Sequence, residues 1–400
     1  MSWSLVKLSE IFEIARGGSP RPISDYITEN TDGLNWISIK DASNSGKYIS
    51  KTKLKIRKEG LVKSRLVKPG DFLLTNSMSF GRPYIMNTTG CIHDGWLVLS
   101  SDKEKVDQEY FYYLLGSDLL HQKFSRLAAG AVVKNLNINL VKGVEVPLPP
   151  LKEQKYIAEI LDTADSLRQK DQQLIEHYTA LSQSLFLEMF GDPITNPMGW
   201  EERTLNELCS KITDGTHHSP KLIASGMPYV TAKHVKNYGL EFMAKPTYIS
   251  EKDHEDIYKR CNPEIGDVLY IKDGATTGIA CINTFHAPIS LLSSLALLKV
   301  NAEVLNNHYL CFWLNHDGIK NKLIGEYMSG AAIQRYTLAK INSFKLTLPP
   351  ITLQHKFVER IEAIEKQKQQ ARASLEKSEV LFNSLLQRAF KGELTASKAA

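Results

Sequence analysis

The chain has 400 residues, 42% of them hydrophobic, with 49 Lys and Arg against 44 Asp and Glu, a net charge of +5. A mean hydropathy of −0.24 and the absence of any 18-residue apolar run exclude a membrane-spanning helix, and Met1-Ser2-Trp3-Ser4-Leu5-Val6-Lys7 lacks the apolar core of a signal peptide. Five scattered cysteines (Cys91, Cys209, Cys261, Cys281, Cys311) without a C-x-x-C pair argue against a disulfide frame or zinc site and predict reduced thiols in cytoplasm, while the mildly basic balance permits a nucleic-acid partner.

In chain order, Trp3 to Arg16 predicts a strand or short helix entering the turn Gly17-Gly18-Ser19-Pro20-Arg21-Pro22. Trp36-Ile37-Ser38-Ile39 alternates as a strand and hands over to Lys40-Asp41, and Pro69-Gly70-Asp71 turns into Phe72-Leu73-Leu74. Phe111 to Leu127 predicts a helix that buries Phe111, Leu114, Leu115, Leu119 and Phe124. Residues 1–147 therefore read as a mixed α+β domain of many short elements.

A long helix follows. After Pro147-Leu148-Pro149-Pro150 there is no Pro or Gly until Gly191-Asp192-Pro193, room for a helix about 60 Å long. Its apolar positions Ile157, Ile160, Ala164, Leu167, Leu174, Tyr178, Leu181 and Leu185 form a narrow heptad seam with one gap, at Asp171. Two hundred residues on, Leu348-Pro349-Pro350-Ile351 repeats Leu148-Pro149-Pro150-Leu151, Gln354 repeats Gln154 and Phe390 repeats Phe190. The second seam reads Phe357, Ile361, Ile364, Lys368, Ala371, Leu375, Ser378, Phe382, Leu385, Ala389, with its best phase about one residue off the simple offset. Either stripe alone fits a core helix of a larger bundle; two copies framing two globular stretches predict a paired rod. On this reading Leu174→Asp buries an unpaired charge and weakens the rod.

The stretch between the helices retraces the first domain. Trp200, Leu205, Glu207 and Leu208 echo Trp3, Leu8, Glu10 and Ile11, and Tyr229-Val230-Thr231-Ala232-Lys233 echoes Trp36 to Lys40. Ile265-Gly266-Asp267-Val268 echoes Pro69-Gly70-Asp71-Phe72, and Gly330-Ala331-Ala332 echoes Gly130-Ala131-Val132. The boundaries are a first domain at 1–147, a first helix at 148–195, a second domain at 196–346 and a second helix at 347–397.

The densest charge runs from Lys47 to Lys68, nine cations against Glu59 alone, a pattern suited to phosphate contacts or to a solvated face. Within it Lys51, Lys53, Lys55 and Arg57 alternate, so a strand sets all four on one face. Polar loops that could reach base edges add Ser19, Arg21, Lys40, Asn76, Ser77, Ser79 and Arg82 in the first domain. The second domain is less basic, offering Lys221, Lys233, His234, Lys236, Lys259, Arg260 and Lys272, with Thr216, His217, His218, Thr276 and Thr277 as further candidates in its loops. Catalytic patterns are missing: there is no G-x-x-x-x-G-K-[ST] loop, no Asn-Pro-Pro-Phe segment of an amino-methyltransferase, and no S-adenosylmethionine site. His217-His218 has no Cys or carboxylate at ligand spacing, and Cys91-Ile92-His93-Asp94 lacks the second half of a nucleophile motif. The chain reads as a binder, not an enzyme.

Three stretches carry a family resemblance. Pro147-Leu148-Pro149-Pro150-Leu151-Lys152-Glu153-Gln154 with Met189-Phe190-Gly191-Asp192-Pro193 and Asn196-Pro197-Met198-Gly199-Trp200 resembles the central conserved region of Type I restriction–modification specificity (S) subunits. Ala389-Phe390-Lys391-Gly392-Glu393-Leu394 resembles the end of their distal conserved region, and Asp214-Gly215-Thr216-His217-His218-Ser219-Pro220 an opening of their recognition domains. One departure is Leu353 where the first copy has Glu153. The resemblance implies an α+β fold, with two homologous mixed α/β target-recognition domains separated by two long helices forming an antiparallel coiled coil. It implies a non-catalytic subunit that reads a split double-stranded DNA target, one half-site per domain, with the helices setting the spacer. It also implies docking of two modification (methyltransferase) subunits, with restriction (translocase and nuclease) subunits joining them. S-adenosylmethionine and ATP then belong to those partners, and this chain binds neither cofactor nor metal. Glu153, Gln154, Glu159 and Arg168 are candidate docking surface. The alternative is a duplicated coiled-coil interaction scaffold without specific DNA readout.

Overall fold

A computed structural model describes residues 3–76, 81–101, 104–129, 136, 138–328 and 335–395. The chain forms two compact units, Met1–Gln173 with Arg372–Ala400, and Leu174–Ala371. Each unit thus contains one α+β domain, the start of one long helix and the end of the other. The repeated Gly130-Ala131-Val132 and Gly330-Ala331-Ala332 lie outside the described residues.

In the first unit one five-stranded sheet runs in the order Glu13–Arg16, Trp96–Ser100, Phe72–Thr75, Pro83–Met86, Tyr48–Ile49. Its central strands are buried along their length, because helices cover one face and a second sheet the other. That second sheet orders Ile27–Thr28, Leu54–Ile56, Leu34–Ile37, Gly90–Ile92, Arg65–Val67. The helix expected over 111–127 is two, Gln108–Leu115 and Asp118–Ala129, broken at Gly116-Ser117. The break rotates the second segment, so Leu120 is buried and Leu119, expected inside, is 45% exposed.

The second unit keeps the frame. Cys209–Asp214, Leu295–Val300, Val268–Ile271 and Ala280–Ile282 form a four-stranded sheet in that order, and Tyr248–Ile249, Met227–Val230 and Ser290–Leu291 a three-stranded one. Here Ala280–Ile282 is the edge, with no counterpart of Tyr48–Ile49 paired to it among the described residues; the hairpin Val235–Lys236, Gly239–Leu240 forms its own ladder, packed against that edge.

Both long helices form as the sequence predicts, Leu151–Phe190 and Ile351–Phe390, each 40 residues. Each starts behind a Pro-Pro pair, where a missing N–H costs nothing. Each ends near a glycine with positive φ, Gly191 at 75° and Gly392 at 79°, a backbone that a side chain disfavours. In the first unit they run antiparallel: the Arg168 guanidinium lies 4.8 Å from the Phe382 ring centre, and Asp171 accepts from Ser378 at 3.0 Å and Ser374 at 3.1 Å. The gap at Asp171 is therefore a hydrogen-bonded rung. In the second unit Phe186 and Phe190 pack on Phe357 at 5.7 and 5.1 Å between ring centres.

The second seam is as expected, from Phe357 and Ile361 through Ile364 and Leu375 to Phe382, Leu385 and Ala389. The first needs correction. Ile157, Ala164 and Leu185 lie on it, but its other line is Leu161, Arg168, Ile175 and Ser182. Ile160 is half-buried beside it, and Leu167, Leu174 and Leu181 are 47%, 44% and 43% exposed. On a helix both i+3 and i+4 neighbour residue i, so a stripe can step to either side. The leucines mark one side; the partner helix covers the other. The two helices thus bury equivalent residues at the plain 200-residue offset, and Leu174→Asp places its charge in water.

Repeated residues at the helix starts have one cause. The Gln154 amide oxygen accepts from the Asp107 N–H (2.8 Å), and its nitrogen donates to the Lys105 (3.0 Å) and Pro149 (2.8 Å) carbonyls. Gln354 makes the same three bonds to Asn306 (2.8 Å), Val304 (3.1 Å) and Pro349 (2.8 Å). Each fully engaged glutamine clamps its long helix to a domain helix, with no buried polar group left over. Leu353 is explained likewise: the Trp3 indole donates to Glu153, whereas the Trp200 indole donates to the Phe190 carbonyl, so no carboxylate is needed.

Candidate nucleic-acid interface

In the first unit the loop after Glu13–Arg16 meets the loop at 92–95. Gly17 passes so close that an added Cβ would lie 2.0 Å from the His93 carbonyl, a position only glycine tolerates. The loops converge on Asp94. Its carbonyl accepts from Arg16 Nε and Asn76 Nδ2, both 2.8 Å, and its carboxylate from the Ser19 hydroxyl at 3.0 Å, with Arg21 Nη2 at 3.5 Å. Burial works to raise the Asp94 carboxyl, but the Ser19 hydroxyl, a backbone N–H and the Arg21 guanidinium outweigh it and hold it below the usual carboxylate range. Arg21 itself keeps 81% of its side chain in solvent, an available charge on a braced loop.

The second unit builds the same corner from different chemistry. Gly215 passes 2.0 Å (as Cβ) from the Leu291 carbonyl, as Gly17 does from His93. Arg16 pairs with Leu97 and Asp214 with Ala296 on matching rungs. Asn76 donates its N–H to Gly95 and accepts from Leu136; Lys272 does the same with Ser294 and Tyr336. Where the first unit has Arg16 and Asn76, the second has Asp214 and Lys272. Asp214, 3% exposed, binds Arg260 at 2.6 Å, Lys272 at 3.2 Å and His217 at 3.2 Å. Arg260 also donates to the Asp214 and Gly215 carbonyls at 2.9 and 2.6 Å, so it holds the loop that carries Thr216, His217 and His218.

Among the expected contact residues, Arg21, Lys40, Lys51, Lys53, Arg57 and Arg82 are exposed, as are His217, His218, Lys221, Lys233 and Thr276. Ser19 and Thr216 are half-buried in the loop corners. The Lys53 N–H donates to the Asp41 carboxylate at 3.2 Å, which ties the Lys53 segment to the helix that starts beside Lys40. Arg82 lies over the Tyr84 ring. Others are corrected. His234 is fully buried, its ring accepting from the Thr231 N–H and meeting the Lys245 carbonyl; burial holds its pKa down. Lys272 is 2% exposed because its ammonium neutralises Asp214. Asn76 and Thr277 are buried and spend side-chain donors on the Asp94 and Gly274 carbonyls. Ser77 and Ser79 lie outside the described residues.

The alternating basic strand is shorter than expected. Only Leu54–Ile56 is strand, inside its sheet, so of the four cations Lys55 alone lies in it and donates to the Thr31 carbonyl. Lys47 leaves the basic footprint entirely: it is turned inward against Glu109 and Asp162. Residues that the sequence reading left out of the site are Arg16, Asp94 and Asp214, which together with Arg260 brace the two corners. Their signal was faint, since an acid or arginine beside a glycine is ordinary turn chemistry until the register aligns the two copies.

The described residues contain no group of three metal-ligating side chains and no helix long and apolar enough to cross a membrane. The chain is 25% identical over 379 residues to the Type I restriction enzyme MjaIX specificity subunit of Methanocaldococcus jannaschii, covering 89% of this chain and 85% of that one. It is 22% identical over 432 residues to the Type I restriction enzyme EcoBI specificity subunit of Escherichia coli, covering 99% and 87%. Its fold matches the crystal structure of the Type I restriction-modification system S subunit from M. genitalium with a TM-score of 0.61 at 16% identity, over 98% of this chain and 96% of that one. The model of the Type I restriction modification DNA specificity domain matches twice, at residues 1–177 and 197–377, each match running from one α+β domain into the long helix after it, and the chain belongs to that family.

Proposed function

We propose that the chain is the non-catalytic reader of a Type I restriction–modification complex, recognising a split double-stranded DNA target with one half-site per domain. The observation that carries this is the duplicated loop corner, kept in backbone and exchanged in side chains between Arg16 with Asn76 and Asp214 with Lys272. Two readers of one design and different chemistry suit an asymmetric bipartite sequence. Exposed cations beside those corners supply phosphate contacts, and the braced polar loops reach base edges. The paired long helices set the unread spacer and dock two modification subunits, through which restriction subunits join, in the cytoplasm. S-adenosylmethionine and ATP are bound by those partners.

The test is adenine-methylation mapping in cells expressing this chain with its modification subunit. One split motif, methylated only when the chain is present, supports the reading. Exchange of residues 1–147 for another member's first domain should then change one half of the motif alone; a change in both halves refutes one reader per half. Absence of methylation while the two proteins co-purify would leave only a scaffold.

A further inference from the structure

The two units differ most where a domain helix faces the start of its long helix. In the first unit a lysine side chain occupies that place, between shallow clefts on either side of it. Lys47, at the edge strand Tyr48–Ile49, points inward, its ammonium bonded to Asp162 at 2.8 Å and to Glu109, and 4.8 Å from each ring centre of Tyr112 and Tyr113. The Tyr113 hydroxyl donates to Asp162 and the Tyr48 hydroxyl to Glu109, so the cation sits in a box of two carboxylates and two aromatic faces.

The glutamine clamps align the second unit residue by residue. Since Gln154 holds Asp107 as Gln354 holds Asn306, Glu109 corresponds to His308, Tyr112 to Cys311, Tyr113 to Phe312 and Asp162 to Glu362. Among the described residues no fifth strand pairs with the edge of this sheet, and residues of the hairpin turn, Asn237, Tyr238 and Gly239, line the space instead. Replacement of Tyr112 by cysteine removes a ring. What remains is a cavity of about 330 Å³ lined by Tyr238, Cys311, Phe312, Glu362, Glu365 and Lys366 among others, within the size range of small-molecule sites. Apolar side chains such as Ile282 and Phe312 line it beside two carboxylates, Glu362 and Glu365, set against the single ammonium of Lys366. Burial pushes the Cys311 thiol up to about 12 and the Cys281 thiol well above its usual value, so both line the wall without acting as nucleophiles.

We propose that this cavity of the second unit is a binding site for a small linear aliphatic amine, whose ammonium group takes the place that Lys47 fills in the first unit. The alkyl chain lies on Ile282 and Phe312, and the ammonium is held by Glu362 with a cation–π contribution from the Phe312 ring. This inference goes beyond DNA reading and is tested without DNA.

The experiment is calorimetric titration of the full chain with n-butylammonium, the lysine side chain in isolation, against n-butanol as the uncharged control. Saturable one-to-one binding of the amine, weakened roughly tenfold by Glu362→Gln, where the salt-bridged hydrogen bond is lost, supports the site. Glu362 is exposed, so the variant folds. Asp162→Asn, in the box of the first unit, should leave binding unchanged. Equal binding of butanol, indifference to Glu362→Gln, or no saturable heat overturns the proposal. Clearly tighter binding of Nα-acetyl-lysine amide than of butylammonium also overturns it, in favour of a lysine carried by a partner polypeptide.

Discussion

Arg16 of the first unit and Asp214 of the second occupy the same rung of the same antiparallel pair, and their charges are opposite. Asn76 and Lys272 exchange the same backbone hydrogen bonds, yet one side chain is a neutral brace and the other a buried cation. The backbone ladder asks nothing of a side chain except that it not clash, so a frame fixed by main-chain bonds leaves its corners open to new chemistry. The reverse holds at Gln154 and Gln354, where the side chain is itself the connection between elements and both copies keep it. At these two corners, divergence falls on positions whose fold-holding work is done by the main chain.

The strongest way to break this comparison is in the shared seam. Leu161→Asp, at a fully buried position of the first unit, is expected to cost about 3 to 5 kcal/mol, while Leu174→Asp changes stability by under about 1 kcal/mol. Urea unfolding of both variants decides it; equal losses would mean that the seam runs along the leucines after all.

Next, Lys272→Met strips a buried cation from Asp214 and should cost about 2 to 3 kcal/mol, moderated by Arg260, whereas Asn76→Met at the equivalent position loses one hydrogen bond, about 1 kcal/mol. Thermal unfolding monitored by hydrogen exchange would assign each loss to its own unit. A larger effect at Asn76 would invert the proposed roles of the two corners.

Gln154→Ala and Gln354→Ala should be alike, about 1 to 3 kcal/mol each, since each orphans one N–H and two carbonyls. A twofold or greater disparity in denaturation would show that the clamps are not equivalent.

The smallest effect is expected at Asp94. Its folded carboxyl lies below the usual range, so its contribution is present above the ordinary carboxylate pKa of about 3.9 and is lost as pH falls through the lower folded value. With 45% of the side chain exposed, Asp94→Asn should cost under about 1 kcal/mol at pH 7, and the two melting curves should converge towards pH 3. A gap that persists at pH 3 would place the loss in shape instead of charge.

The sequence by itself determined the duplication, both long helices and where they begin and end, because Pro-Pro, a breaker-free run and a closing glycine act locally. It also determined the order of domain and helix, since the repeat offset is visible without any contact. What tertiary structure alone decided was which neighbouring line of the first helix is covered, since Leu167 and Arg168 flank the same residue and only the second helix chooses between them. It decided as well that Lys47 and Lys272 turn inward while Arg21 and Lys53 stay in solvent. A cation's direction depends on whether a carboxylate distant in sequence waits beside it: Asp162 for Lys47 and Asp214 for Lys272. Periodicity reports the solvent side of an element only when burial is one-sided, and ion pairs between remote segments leave no trace in local spacing.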